Sequence, residues 1–138
     1  MNKATVFIVV LLIAAGGAWW WARNEVSLPV THRDLIVVTQ PRPDQVITSP
    51  LEVRGRARGN WYFEASFPID LRDANGRKVV SSFVAAQSEW MTEDYVPFSA
   101  AISFTPPATP TGVLILHKDN PSGLPEHDDE VRIPVRFR

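Results

Sequence analysis

An antiparallel all-β sandwich is the fold the sequence predicts, and three observations predict it. Apolar residues recur at every second position in several short stretches, which is the period of a half-buried strand. Twelve prolines and seven glycines are spread between those stretches and punctuate them as turns. No stretch after Ala22 carries a clean helical period. At 138 residues, 45% of them apolar, the chain holds one domain of roughly 100 residues with an ample core, plus a short appendage.

The appendage comes first. Ala4 to Ala22 is uncharged and almost wholly apolar, with TVFIVVLLIAAGGAWWW at its heart, and it approaches the ~20 residues a helix needs to cross a bilayer. Residues 1–23 therefore read as one N-terminal transmembrane helix, a signal-anchor. The rival is a cleaved secretory signal, with Lys3 as its positive region and Gly16-Gly17-Ala18 at the cut. Trp19 to Trp21 favour the retained anchor, because indoles belong at the headgroup level. Lys3 and Arg23 flank the span on both sides, so orientation rests on the short N-terminus, which favours Met1 inside and the rest exported. Residues 24–33, polar and broken by Pro29, read as a stalk, and 34–138 as the domain.

Leu35 to Thr39 is a first short strand, and Pro41, Pro43 and Asp44 turn the chain toward a few extended residues at Gln45 to Thr48. Leu51 to Ala57 alternates, with Leu51, Val53, Gly55 and Ala57 inward and Glu52, Arg54, Arg56 and Arg58 outward. The strongest pattern follows from Phe63, with Phe63, Ala65, Phe67, Ile69 and Leu71 on one face. Asp73-Ala74-Asn75-Gly76 then reverses the chain into Lys78 to Ala86, which is apolar on both faces. Gln87 to Asp94 reads as a turn or a one-turn helix plugged by Trp90. Val96 to Thr105 resumes the alternation, with Val96, Phe98, Ala100, Ile102 and Phe104 inward.

Pro106, Pro107 and Pro110 force an extended crossover between two sheets. Gly112 to Lys118 is apolar on successive residues, as in a strand covered on both sides, and Asp119 to Glu130 is an acidic loop. Val131 to Phe137 buries Val131, Ile133, Val135 and Phe137 and exposes Arg132, Arg136 and Arg138, while Pro134 puts this last strand at an edge. About seven strands in one domain match an immunoglobulin-like sandwich without its usual cysteine pair. The core is expected from Trp61, Phe63, Phe67, Phe98, Ile102 and Phe104 with the aliphatics of the last two strands.

Three blocks among these elements, SPLEVRGRARGNWYFEASFPIDLRDANG, EWMTEDYVPF and KDNPSGLPEHDDEVRIPVRF, together resemble the bacterial spore germination immunoglobulin-like domain, from about Leu35 to the C-terminus. That module accompanies the GerMN domain in germination proteins and also stands alone in exported or membrane-anchored proteins. The resemblance implies a β-sandwich outside the cytoplasmic membrane, with no established enzymatic activity and a role in binding or envelope assembly. It supplies no catalytic residues and no cofactor. No GerMN domain is legible here, so germination itself is not implied.

The net charge of −1 gives no reason to expect capture of nucleic acid. Without cysteine there is no disulfide, thiolate metal site or thiol nucleophile. The strongest binding candidates are Arg54, Arg56 and Arg58 on one strand with Arg132 and Arg136, and also Arg138, on the last. If those strands share a sheet, their guanidiniums form a band suited to bidentate contact with carboxylates or phosphates. Peptidoglycan, lipid headgroups or an envelope protein would present such groups. The bland reading is a solvated face whose arginines pair with Glu52, Glu64 and Asp70.

Two alternatives are weighed beside it. A calcium-stabilised module would use the acidic loop, Asp119, Asn120, Glu126, Asp128, Asp129 and Glu130, although the spacing is not that of a helix-loop-helix site. An exported hydrolase would need two of Glu64, Glu93, His117 and Asp119 to converge, and no nucleophile motif surrounds any serine. Glu64 and Asp70 stand too far apart along one strand to serve as a carboxylate pair. Trp61, Tyr62, Trp90 and Tyr95 read as core or pinning aromatics before they read as a stacking platform.

Overall fold

The computed structural model describes residues 27–138. The span read over residues 1–23, and the first part of the stalk, lie outside the described residues. Among the described residues no helix is long and apolar enough to cross a membrane.

The strands are β1 (Val30–His32), β2 (Ile36–Gln40), β3 (Gln45–Val46), β4 (Leu51–Arg58), β5 (Ser66–Asp73), β6 (Lys78–Ala86), β7 (Tyr95–Ile102), β8 (Thr111–His117) and β9 (Glu130–Arg136). Short 3₁₀ turns occupy Gly59–Trp61 and Pro125–His127. The strands hydrogen-bond in the order β1-β2-β4-β7-β6-β5-β8-β9-β3. All pairings are antiparallel except β3 with β9.

This continuous sheet folds over on itself at one weak joint. β6 meets β7 only through Ala85 opposite Ser99 and Ala86 opposite Phe98. One layer is therefore β1-β2-β4-β7 and the other β6-β5-β8-β9-β3. The inward residues of both, such as Val53, Ala57, Val96 and Phe98 from the first and Phe67, Ile69, Leu71, Leu114 and Ile133 from the second, form one buried cluster. Phe67 crosses the interior to stand edge-on to Phe98 and Trp61, with centroids 5.1 and 6.5 Å away. Such pairs add ~0.5 to 1.5 kcal/mol each beyond burial.

Among the described residues the all-β prediction holds, with nine strands where about seven were expected. The extra two, β1 and β3, are three and two residues long and too short to show a period. β1 also corrects the stalk, because Val30–His32 pairs with β2 and so belongs to the domain. The central strand is shorter than its pattern. Phe63-Glu64-Ala65-Ser66 is a tight turn in which Phe63 and Ser66 exchange backbone hydrogen bonds, and Glu64 and Ala65 take φ of 51° and 62°. Phe63, expected in the core, is consequently exposed. β9 is not the outermost strand, since β3 caps it at Val135 and Arg136. Pro134 still faces the sparsely paired side, where its carbonyl accepts from the Asp44 N–H at 2.8 Å.

Candidate functional site

Because Leu51, Val53 and Ala57 enter the core, Glu52, Arg54, Arg56 and Arg58 stand on the outer face of the first layer. Across β7, Arg54 lies opposite Ser99, Arg56 opposite Pro97 and Arg58 opposite Tyr95. The three guanidiniums are not equivalent. Arg58 is fully engaged: its Nη2 donates to Asp34 Oδ2 at 3.0 Å, its Nε to the Asp34 carbonyl at 3.2 Å, and its Cζ lies 3.8 Å from the Tyr95 ring centroid. The Tyr95 hydroxyl donates to Asp34 Oδ1 at 2.6 Å. That hydrogen bond, and then Arg58, hold the Asp34 carboxyl below its ordinary pKa, and the same carboxylate raises that of Tyr95.

Arg54 pairs with Glu52 on its own strand. Arg56 is exposed, lies 4.9 Å from the Tyr95 centroid and has no carboxylate in ion-pair range among the described residues. An open depression of about 560 Å³ lies here, with Thr39, Arg54, Arg56, Gln87, Pro97 and Ser99 along it. Guanidiniums beside hydroxyl and amide donors suit carboxylate or phosphate oxygens.

Arg132 and Arg136 are not part of that face. β9 is separated from β4 by β7, β6, β5 and β8, so the two arginine sets lie on the outer faces of opposite layers. The six-residue band, conditional on neighbouring strands, does not form. Arg132 Nε sits 3.3 Å from Glu130 Oε2, Arg136 lies opposite Thr111, and Arg138 Nη2 donates to the Pro107 carbonyl at 2.7 Å.

The outer face of the second layer holds a network absent from the sequence reading. Asp70 accepts from the Ser81 hydroxyl, and His117 Nε2, Arg72 Nη2 and Lys78 Nζ lie 3.3, 3.4 and 4.0 Å from its carboxylate. Burial opposes the charge, but Ser81, His117 and Lys78 outweigh it and hold the Asp70 carboxyl below its ordinary pKa. The period placed Asp70 outward, yet only the β5–β8 register brings it to His117. Serine, carboxylate and imidazole meet here in the wrong order for nucleophilic catalysis. Ser81 gives its proton to Asp70, whereas activation requires the imidazole on the serine oxygen.

The other rival constellations separate. Glu64 stands in the tight turn, Glu93 beside Arg58, and the Asp119 N–H donates to the Trp61 carbonyl at 3.0 Å. In the acidic loop, Asp129 meets His32 Nε2 at 2.8 Å and Asp128 accepts from Asn120 Nδ2 at 2.7 Å. Among the described residues no group of three His, Asp or Glu could hold a metal ion. Trp61 is fully buried, the Tyr62 hydroxyl donates to the Val96 carbonyl at 2.7 Å, and Trp90 stands edge-on to Phe63. Of the four suspected aromatics, Tyr95 is the one that serves the arginine face.

An immunoglobulin-like sandwich with a basic outer face on one layer and a closed polar network on the other has the build of a binding or structural module. The chain belongs to the family described as the immunoglobulin-like domain of bacterial spore germination, whose model matches residues 35–123. No curated protein and no solved structure matches it. The match ends before β9, although β9 completes the second layer.

Proposed function

We propose that the protein is an exported, membrane-anchored immunoglobulin-like module of the bacterial cell envelope that works by binding or scaffolding and not by catalysis. The anchor is supported by the uncharged run from Ala4 to Ala22. The observation that carries the binding role is the arginine face, where Arg54 and Arg56 stand over the depression and Arg58 is fixed behind them by Asp34 and Tyr95. A planar guanidinium already stacked on a ring has fewer orientations to lose when it meets a carboxylate or phosphate. Peptidoglycan peptides, anionic lipid headgroups and an acidic envelope protein all offer those groups.

Retention of the full chain in mild detergent on purified peptidoglycan, immobilised glycerophosphate headgroups and envelope protein tests this. At low salt retention is expected, and at about 0.5 M salt it weakens, because exposed charges are screened over a few ångströms there. Arg54→Gln with Arg56→Gln abolishes the salt-sensitive part. Retention that is absent from all three materials, or unchanged in the double variant, overturns the reading.

A further inference from the structure

The domain's charges are sorted along its strands. Leu51 pairs with Ile102, Arg72 with Lys78, Asp73 with Gly112 and Thr111 with Arg136, so the starts of β4, β6 and β8 share one end of the sandwich with the ends of β5, β7 and β9. The segment after β2 and the crossover close that end. The Ile47 N–H donates to the Arg136 carbonyl, the Phe104 N–H to Ser49 Oγ, and Phe104 packs on Phe137.

Arg42, Arg77, Lys78, Arg136 and Arg138 stand at this end, against Asp44, Glu52 and Asp73. Glu52 is taken up by Arg54, and Asp73 Oδ1 by the N–H groups of its own turn. Among the described residues the four arginines have no carboxylate in ion-pair range. The opposite end is acidic. Its loops, between β6 and β7 and between β8 and β9, carry Glu89, Glu93, Asp94, Asp119, Glu126 and Asp128, which Arg33 and Lys118 offset only in part. The net charge of −1 conceals this polarity.

The chain enters the domain at the basic end, where the Ser27 carbonyl accepts from Arg42 Nη1 at 2.8 Å. Five residue steps separate Ser27 from Ala22, the last residue of the uncharged run, and they reach no more than ~18 Å. Leu28 and Val46, 73% and 53% exposed, lie at the same end.

We infer that the basic end is a docking surface for anionic lipid headgroups, those of the bilayer that holds this chain's own N-terminal span. Such docking presupposes the membrane anchor proposed above and is independent of the β4 arginines. The tether permits contact without compelling it, because its reach exceeds the screening length of ~8 Å at physiological salt. The charges decide the pose. Headgroup phosphates attract the basic end and repel the acidic loops, so the domain stands upright with those loops farthest from the bilayer. Apolar side chains among arginines, as Leu28 and Val46 are, suit the boundary between headgroups and acyl chains.

A sequence without cysteine lets single dyes report the pose. The full chain carries a donor at Thr48→Cys, exposed at the basic end, or at Met91→Cys, exposed among the acidic loops. It is reconstituted into vesicles of phosphatidylcholine alone, or of phosphatidylcholine and phosphatidylglycerol in equal parts, each with a headgroup-labelled acceptor. On going to the anionic vesicles, energy transfer is expected to rise at Thr48→Cys and fall at Met91→Cys. Both changes are expected to vanish at about 0.5 M salt. They should also vanish in Arg77→Gln with Lys78→Gln and Arg136→Gln, whose native side chains make no hydrogen bond among the described residues, and persist in Arg54→Gln with Arg56→Gln. Transfer indifferent to lipid charge, transfer that rises at both sites, or changes that survive the triple substitution each overturn the docking surface while leaving the anchor intact. A chain that floats with neither vesicle removes the anchor and the docking together.

Discussion

Gly55 is where the arginine face meets the core. It stands between Arg54 and Arg56 but turns its bare Cα inward, where a Cβ would lie 2.7 Å from the Phe98 ring and against the Val37 carbonyl. Phe98 fills the space a side chain would take, so Gly55→Ala overpacks the core and is expected to cost about 1 to 3 kcal/mol. A urea midpoint unchanged from wild type would refute this. Asp70 gives a second residue-scale prediction, one that depends on pH. Its pKa is depressed in the folded chain, so its stabilisation is present above the unfolded value of ~3.9 and is lost as pH falls through the lower folded value. Asp70→Asn should therefore lower the urea midpoint at pH 7, and the difference should close at about pH 2. An equal gap at both pH values would mean that the ionised carboxylate is not its source.

Among the elements, the turns show what the sequence made legible. Asp73 to Gly76 was readable because its chemistry is local. Gly76 takes φ of 79°, and Asp73 Oδ1 accepts from the N–H groups of both Asn75 and Arg77 at 2.9 Å. The turn at Glu64-Ala65 was not, because Phe63 and Ala65 continue the strand period by coincidence and neither central residue is one that favours positive φ. Both residues carry left-handed strain of roughly 1 to 2 kcal/mol, which Asn and Gly avoid or tolerate better. Glu64→Asn with Ala65→Gly is thus expected to stabilise the domain by about 1 to 2 kcal/mol, read as a raised urea midpoint with an unchanged slope. Destabilisation would show that these side chains make contacts worth more than the strain.

For the whole molecule, period reveals whether a residue points in or out but not which layer its strand joins. That is why the arginines of β4 were legible as outward while their separation from Arg132 and Arg136 was not, and why Asp70 and His117 were not seen as partners. The same limit bears on where the folding unit ends. The family match stops at Gly123, yet Val131, Ile133 and Val135 are buried, and Phe137 packs on Phe104 at 5.9 Å between centroids. Burial of large apolar side chains contributes roughly 1.5 to 3 kcal/mol apiece, and these residues together approach the 5 to 15 kcal/mol by which whole domains are stable. Loss of β9 would also expose the backbone of β8, which it pairs from Thr111 to His117, and strip β3 of its partner. A chain ending at Asp129 is therefore expected to show no cooperative unfolding transition by circular dichroism. If instead it unfolds in one sharp step with the slope of the full chain, β9 is an accessory strand and the matched region folds without it.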